Sequence, residues 1–455
     1  MNRVLILNHE PIGARMTGPT IRNWEFARQL ARVCTVTIAA PGTPERAGEA
    51  FEVVSMDGAV PGSNLPALIA GADVVIAAGY LLEKHPALYD ARHLVVDLNG
   101  PFTLENLHMH AEEPMPDQVR IAVHDAGVLT RLIRAGDVFL CSGERQRDFW
   151  TGWMAAVGRV NPVVHAADPG FDRVFKLVPF GLSDDPPVRF PARYRGAVEG
   201  IADDDFIVMW SSGIWNWFDP LTLIHAVAGL RERLPKLRLV FPAPTSPSSG
   251  IGPMGMADRA RALADELGVA GRSVFFGSWT VYEERGSVLM EADVATSLHT
   301  RDIETRYSFR TRMLDWFWTG LPILTTEGDI LSEVVRDEDL GEVVPYGDVD
   351  AVAAAIIRLE GDRQRLRAQG ERSRLVAQRY TWSRVTAPLV EYCLNPYQSP
   401  DRETIRAQAR SEVAAPETER RRLARRAVET LREQGAAGLA RKGAGYVRKL
   451  TRPPR

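Results

Sequence analysis

Residues 304–325 read E-T-R-Y-S-F-R-T-R-M-L-D-W-F-W-T-G-L-P-I-L-T. A charged turn runs into a helix-forming stretch, Gly320 stops it, and a proline-led apolar strand follows. Ser308 is placed to cap that helix, because its hydroxyl can accept from first-turn N–H groups. Those donors, with the helix dipole, favour an anion at this end. Arg306, Arg310 and Arg312 add three guanidinium charges, whose planar forks suit phosphate oxygens. At about 3.6 residues per turn, Ser308, Arg312 and Asp315 fall on one face. The spacing thus predicts a helix over 308–319 that offers a phosphate seat and, two turns on, a carboxylate able to accept from sugar hydroxyls. A plainer reading of the same spacing is a capped surface helix with an Arg312–Asp315 ion pair.

Outward from this stretch, short β-branched runs alternate with helical patterns. Strands are predicted at 206–211, 237–241, 274–276, 294–298, 322–325 and 342–344, and helices at 220–233, 257–267, 282–291 and 349–360. The first 180 residues repeat the pattern, with strands at 4–7, 36–40, 74–77, 94–98, 138–141 and 174–178. Between the first two of these, Trp24, Ala27 and Ala31 recur at helical spacing. Such alternation implies parallel sheets covered on both faces. Proline and aspartate cluster at 184–205, as in an interdomain linker. Within it, Asp203, Asp204 and Asp205 read as a solvated turn; no further ligand is in view for a metal. The fold class is therefore α/β, with two facing Rossmann-like domains. The boundaries are 1–185, a linker 186–205, a second domain 206–379, a helix crossing back over 380–395, and a tail 396–455. Ligands of such sheets bind at strand carboxyl ends, which directs attention to loops 8–20, 99–106, 142–147, 212–219, 277–281 and 299–310.

At 455 residues the chain exceeds one ordinary core. Its 45% apolar and 25% charged content is that of a soluble globular protein. Three scattered cysteines argue for a reducing compartment and against a disulfide framework or a cysteine-held zinc. The apolar run 4–7 is too short for a signal peptide, and no run reaches the length of a membrane span. The net charge of −3 hides an asymmetry. Residues 419–455 carry twelve Lys and Arg against three Glu, a balance of +9 that leaves −12 for the rest. Two tail segments, 419–434 and 439–450, set a Leu/Val stripe against arginines and lysines, the pattern of a helix lying on an anionic membrane. Nucleic acid is not expected, because the main body has no basic-aromatic groove.

The D-W-F-W-T-G-L-P-I-L segment, with an acidic residue five before Gly320, resembles the retaining glycosyltransferases of the GT-B fold, family 4 in particular. The likeness covers about residues 1–393. It includes V-P-F-G-L-S at 178–183, C-S-G-E-R-Q-R-D-F at 141–149, M-T-G-P-T-I-R-N-W-E at 16–25, F-F-G-S-W at 275–279 and Y-T-W-S-R-V at 380–385. By that resemblance Asp315 stands where a glutamate holds the nucleotide's ribose. The family's partner glutamate, eight residues earlier, is Tyr307 here, and Glu304 is the nearest carboxylate. Ser308, Phe309, Arg310, Thr311 and Arg312 occupy the turn whose amides meet the donor's phosphates and sugar. Gly18 lets backbone approach substrate, and Trp279 offers a surface for the nucleobase. The family's Arg and Lys after the second domain's first strand are missing: the chain reads S-S-G-I-W-N-W-F-D-P at 211–220. Arg310, Arg312, Arg147 or Arg301 is then expected to supply the counter-charge a diphosphate needs, with Trp215, Asn216 and Trp217 shaping the sugar pocket and Gly213 at the donor. Asn99 replaces a histidine near the reacting sugar, so Asp97 or Asn99, with Arg310, is expected at the reaction centre. His108 and His110 are further candidates.

The resemblance implies transfer of a hexosyl unit from a nucleoside-diphosphate sugar to a hydroxyl, without metal or cofactor. The tail adds the expectation of a lipid-linked acceptor, a cytoplasmic enzyme peripheral on the inner face of the cell membrane, and a role in cell-surface polysaccharide or glycolipid synthesis. Two alternatives are a nucleotide-sugar epimerase and a non-catalytic glycan-binding or scaffold module.

Overall fold

Val4, Leu5, Ile6 and Leu7 are all buried, as is every residue of 138–141 and of 206–209. Strands apolar on both faces need helices on both sides of their sheet. The computed structural model, which describes residues 1–13, 16–57, 64–244, 255–278 and 280–406, shows two such sheets. The first holds β1 (Arg3–Leu7), β2 (Thr35–Ala40), β3 (Glu52–Ser55), β4 (Val74–Ala78), β5 (Leu94–Asp97), β6 (Val138–Cys141) and β7 (Phe175–Leu177), in spatial order 3-2-1-4-5-6-7. The second holds β8 (Phe206–Met209), β9 (Leu237–Phe241), β10 (Val274–Phe276), β11 (Val294–Ser297), β12 (Ile323–Thr326) and β13 (Gly341–Val344), in order 10-9-8-11-12-13. All pairings are parallel; Ile6, for example, sits between Ile38 and Ile76. Both sheets reverse their winding direction beside their first strand, so each has a crevice at the carboxyl end of β1/β4 or β8/β11. These are the two Rossmann-like domains expected from the sequence.

The edge strand β3 was not anticipated. The segment expected as a linker packs against the second domain: Glu291 accepts from the backbone N–H groups of Arg193, Tyr194 and Arg195, and Tyr194 and Ile201 are buried. At the far end of the second domain the chain returns to the first. Leu182 and Tyr380–Trp382 exchange backbone hydrogen bonds, and Leu389, Tyr392 and Cys393 of the helix Ala387–Leu394 join the core formed by Val4, Ile6 and Trp24. No helix among the described residues is long and apolar enough to cross a membrane. The basic stretch 419–455 and Trp279 lie outside the described residues.

Candidate functional site

The stretch 304–325 forms two helices. Asp302 caps a one-turn helix, Ile303–Tyr307, by accepting from the Glu304 N–H. Ser308 ends this helix in extended conformation, its hydroxyl donating to the Glu304 carbonyl at 2.9 Å and to the Glu304 carboxylate. The second helix is Thr311–Thr319, with Arg310 at its N-cap and no side chain capping it. The expected helix over 308–319 with Ser308 as N-cap is therefore corrected. A serine beside a buried carboxylate hydrogen-bonds locally instead of continuing the helix. The far end is as expected. Gly320 adopts φ +72°, and a Cβ there would come within 2.5 Å of the Arg374 guanidinium.

Arg310 donates to both oxygens of Glu304, at 2.9 and 2.7 Å, and to Thr305 Oγ1 at 3.3 Å; its guanidinium lies 5.3 Å from the Phe218 ring centre. The pair is sealed, with 9% of the Arg310 side chain and 1% of the Glu304 side chain exposed. Its charges reach three neighbours. Burial, and then the charge of Glu304, pushes the Glu105 carboxyl up to about 7, with Arg310 opposing. Burial likewise lifts Asp329 to about 6 against the pull of Arg310. His299, fully buried between Ser297 Oγ and Thr326 Oγ1 at 3.2 Å each, is held well below the usual histidine range by burial and then by Arg310. Arg310 is thus part of an internal charge cluster, not an open cation.

On the other side of the helix Thr311–Thr319 lies a pocket, whose empty space including its mouth is about 440 Å³. It is walled by Ser211 and Gly213 after β8, Pro242 and Ala243 after β9, the short helix Arg285–Leu289, and Arg312 and Asp315. The Trp316 indole N–H donates to Ser211 Oγ at 2.6 Å, fixing the helix to the β8 loop. Asp315 Oδ1 accepts from Arg285 Nε at 3.0 Å, and Asp315 Oδ2 lies 3.6 Å from Arg312 Nη1. The Arg285 guanidinium also lies 4.8 Å from the Trp318 ring centre.

The other expected residues are dispersed. Asp97 forms an internal ion pair with buried Arg22, at 2.6 and 3.2 Å, and Arg22 also donates to the carbonyls of Val178 and Pro179. This braces β5 to the first helix and the interdomain turn. The Asn99 side-chain oxygen accepts from Ser142, and its carbonyl accepts from Gln146 Nε2, which also donates to Tyr307 O across the domain junction. Trp215 stacks on Trp217 with ring centres 5.6 Å apart. Asn216 accepts from the Met256 N–H and donates to the His108 carbonyl, so it braces rather than opens the cleft. Phe309 is buried against Tyr380, and Thr311 begins the second helix. Gly18 opens the first helix with empty space where a side chain would stand. Arg147 is held by Asp172 and the Gly170 carbonyl within the first domain, away from the pocket. Arg301 is exposed. His108 Nε2 lies 3.0 Å from Asp302 Oδ1, and His110 ends the helix Phe102–Met109.

Three residues that matter here were missed. Arg145, not Arg147, reaches the second domain, donating to the carbonyls of Gly328 (2.8 Å) and Arg306 (3.4 Å) and to Glu333. The two arginines are two positions apart and so point to different sides of one helix. Glu105 was passed over in a loop already singled out. Arg285 carries no motif; only its position in space reveals it.

Residues 206–362 match the family described as glycosyl transferases group 1. The matched residues run from β8 past β13, the whole of the second sheet. The chain is similar to EpsD of Bacillus subtilis, provisionally named a glycosyltransferase, with 26% identity over 192 residues, 42% of this chain and 46% of that protein. It is also similar to the phosphatidyl-myo-inositol mannosyltransferase of Mycolicibacterium smegmatis, with 29% identity over 164 residues, 36% of this chain and 40% of that protein. The chain thus spans less than half the length of either curated relative. Among solved structures it shares its fold with the sucrose-phosphate synthase of Thermosynechococcus elongatus, with TM-score 0.63 and 15% identity over 86% of this chain and 98% of that one. Anabaena HepE, solved with UDP and glucose, superposes with TM-score 0.58 and 15% identity over 87% of this chain and 100% of that one. The residues that wall the pocket, Arg285, Arg312 and Asp315 among them, lie within the matched stretch 206–362.

Proposed function

We propose that the protein transfers a sugar from a nucleoside-diphosphate sugar to a hydroxyl of a glycan acceptor, and that the donor occupies the pocket beside the helix Thr311–Thr319. The observation that carries this reading is the coincidence of that pocket, with its two arginines and one carboxylate, and the group 1 match over 206–362. The chemistry follows from charge. The bond from the anomeric carbon to the diphosphate oxygen breaks, a bond to the acceptor oxygen forms, and the leaving diphosphate develops negative charge. Stabilising that charge is the largest catalytic contribution available. Arg312 and the first-turn amides of the helix, which no side chain caps, would supply it. The acceptor's proton passes to a leaving phosphate oxygen, so no side-chain base is required, and retention at the anomeric carbon is the outcome we assign. The crevice at the carboxyl ends of β1, β4 and β5 would receive the acceptor, and domain closure would exclude water.

We further propose a lipid-linked acceptor in cell-surface polysaccharide or glycolipid synthesis, with the enzyme held on the inner face of the membrane through 419–455. The twelve basic residues of that segment support this, as does the lipid acceptor in the name of the mannosyltransferase relative. Incubation with a panel of UDP-, GDP- and ADP-sugars, with and without membrane extract, and mass spectrometry of the products test the reaction. Sugar transfer or slow donor hydrolysis is expected. Isomerised donor, or no change with any donor, would overturn it. Deleting 419–455 should release the protein from anionic vesicles; undiminished sedimentation of the truncated protein would remove the membrane role.

A further inference from the structure

A diphosphate in a partly dry pocket needs fixed positive charge nearby. The loop after β8 offers none: residues 211–220 contain no Lys or Arg. Of the four arginines that the sequence put forward, Arg147 is engaged with Asp172 and Arg301 is exposed. Arg310 is buried on Glu304 by two hydrogen bonds, and only Arg312 lines the pocket. A second cation does line it, on the short helix across from Arg312. Arg285 Nε bonds Asp315 Oδ1 while Arg312 stands at Asp315 Oδ2, so one carboxylate sets two guanidiniums into the same pocket. The group of three carries a net charge of +1, which favours an anion.

We infer that Arg285 is a donor-binding residue that recognises the pyrophosphoryl group, and that Asp315 acts as the positioning residue holding Arg285 and Arg312 toward it. This rests on the nucleotide-sugar reading above and deepens it. The pair takes over the work of the basic residues missing after β8. Two features favour arginine over lysine at 285. The planar group packs near the Trp318 ring, 4.8 Å away, and a planar guanidinium matches phosphate oxygens in a way that a single ammonium does not. Asp315 retains acceptor capacity for a ribose hydroxyl, because each carboxylate oxygen can take two hydrogen bonds.

Calorimetric titration of the full chain with UDP, GDP, UMP and uridine separates the possibilities. For whichever diphosphate binds the wild type, Arg285→Ala should weaken affinity by more than about tenfold, more at low salt than at high salt. The nucleoside alone should change by less than about twofold. Arg285→Lys should recover only part of the loss. In an Asp315→Asn background the Arg285→Ala change should cost less than half as much, on a logarithmic scale, since the arginine is no longer held in place. Thermal melting of each variant checks that it is folded, and the lysine variant carries the test if the alanine variant is not. Unchanged diphosphate affinity in Arg285→Ala, or equal losses for diphosphate and nucleoside, overturns the assignment while leaving the donor pocket in place. A wild type that binds neither UDP nor GDP overturns the donor reading, and this assignment with it.

Discussion

Arg310 and Arg312 are two residues apart, at the start of one helix, and they have opposite fates. Arg310 turns inward, with 9% of its side chain exposed, and both of its hydrogen bonds to Glu304 are shorter than 3.0 Å. Arg312 turns to the pocket, with 35% exposed and its carboxylate partner at 3.6 Å. A guanidinium buried on a carboxylate inside the protein is closed to a ligand. One held loosely at the edge of a cavity can be matched more closely by an incoming phosphate. Arg285, on the other oxygen of the same carboxylate at 3.0 Å, lines the same pocket. The comparison divides the charged residues of 304–315 into a group that holds the second domain together and a group that can bind.

The largest effect should come from breaking the inner pair. Glu304→Ala leaves a buried guanidinium without its carboxylate, which should cost about 3–5 kcal/mol in urea unfolding; a loss below about 1 kcal/mol would mean that the cluster is not sealed. Asp315→Ala should give the reverse balance. Stability should fall much less than for Glu304→Ala, while diphosphate affinity drops by an amount equivalent to about 1.5–3 kcal/mol. Wild-type affinity in that variant would erase the distinction between the two groups.

A smaller effect is expected at the domain junction. Arg145→Ala removes partly exposed bonds to Glu333 and to the Gly328 and Arg306 carbonyls. It should cost about 1 kcal/mol or less in stability, yet favour a more open arrangement of the domains, readable by small-angle scattering.

The smallest signal concerns pH. Glu105 and Asp329 are raised in the folded protein, to about 7 and about 6. Between the ordinary carboxylate range and those values the folded state keeps protons that the unfolded chain has released. Their contribution is therefore present in full below about pH 4 and is lost as pH rises toward 7. His9, lowered by burial to about 4, works in the opposite sense, so that stability rises between about pH 4 and 6.5. Relative to wild type, the Glu105→Gln, Asp329→Asn double variant should gain stability steadily from about pH 4 to pH 7 in thermal melts. A parallel pair of curves would show that the two carboxyls titrate normally.

Much of this fold was legible because buried parallel strands are short apolar runs, and those at 4–7, 138–141 and 206–209 stand out between polar turns. The strand Glu52–Ser55 did not, because it lies at an edge and begins exposed. The stop at Gly320 was legible from residue type alone. The start of the same helix was not, because Ser308 has two possible partners and only the folded chain shows that Glu304 takes it. Asp315 followed from its spacing before Gly320. Arg285 is 30 residues from Asp315, on a five-residue helix without periodicity, and no local pattern ties the two. The internal ion pairs of Asp97 and Arg310 were illegible for one reason. A charged residue near a cleft in sequence terms can be paired inside the fold with a partner that the sequence does not announce, Arg22 in one case and Glu304 in the other.

A crystal structure of the protein soaked with UDP or GDP tests the division most directly. The nucleotide is expected between Ser211–Gly213 and Pro242–Ala243, with its phosphates against Arg285 and Arg312, and with the Arg310–Glu304 pair undisturbed. A nucleotide whose phosphates sit on Arg310 with Glu304 displaced, or one bound outside this pocket, would contradict it.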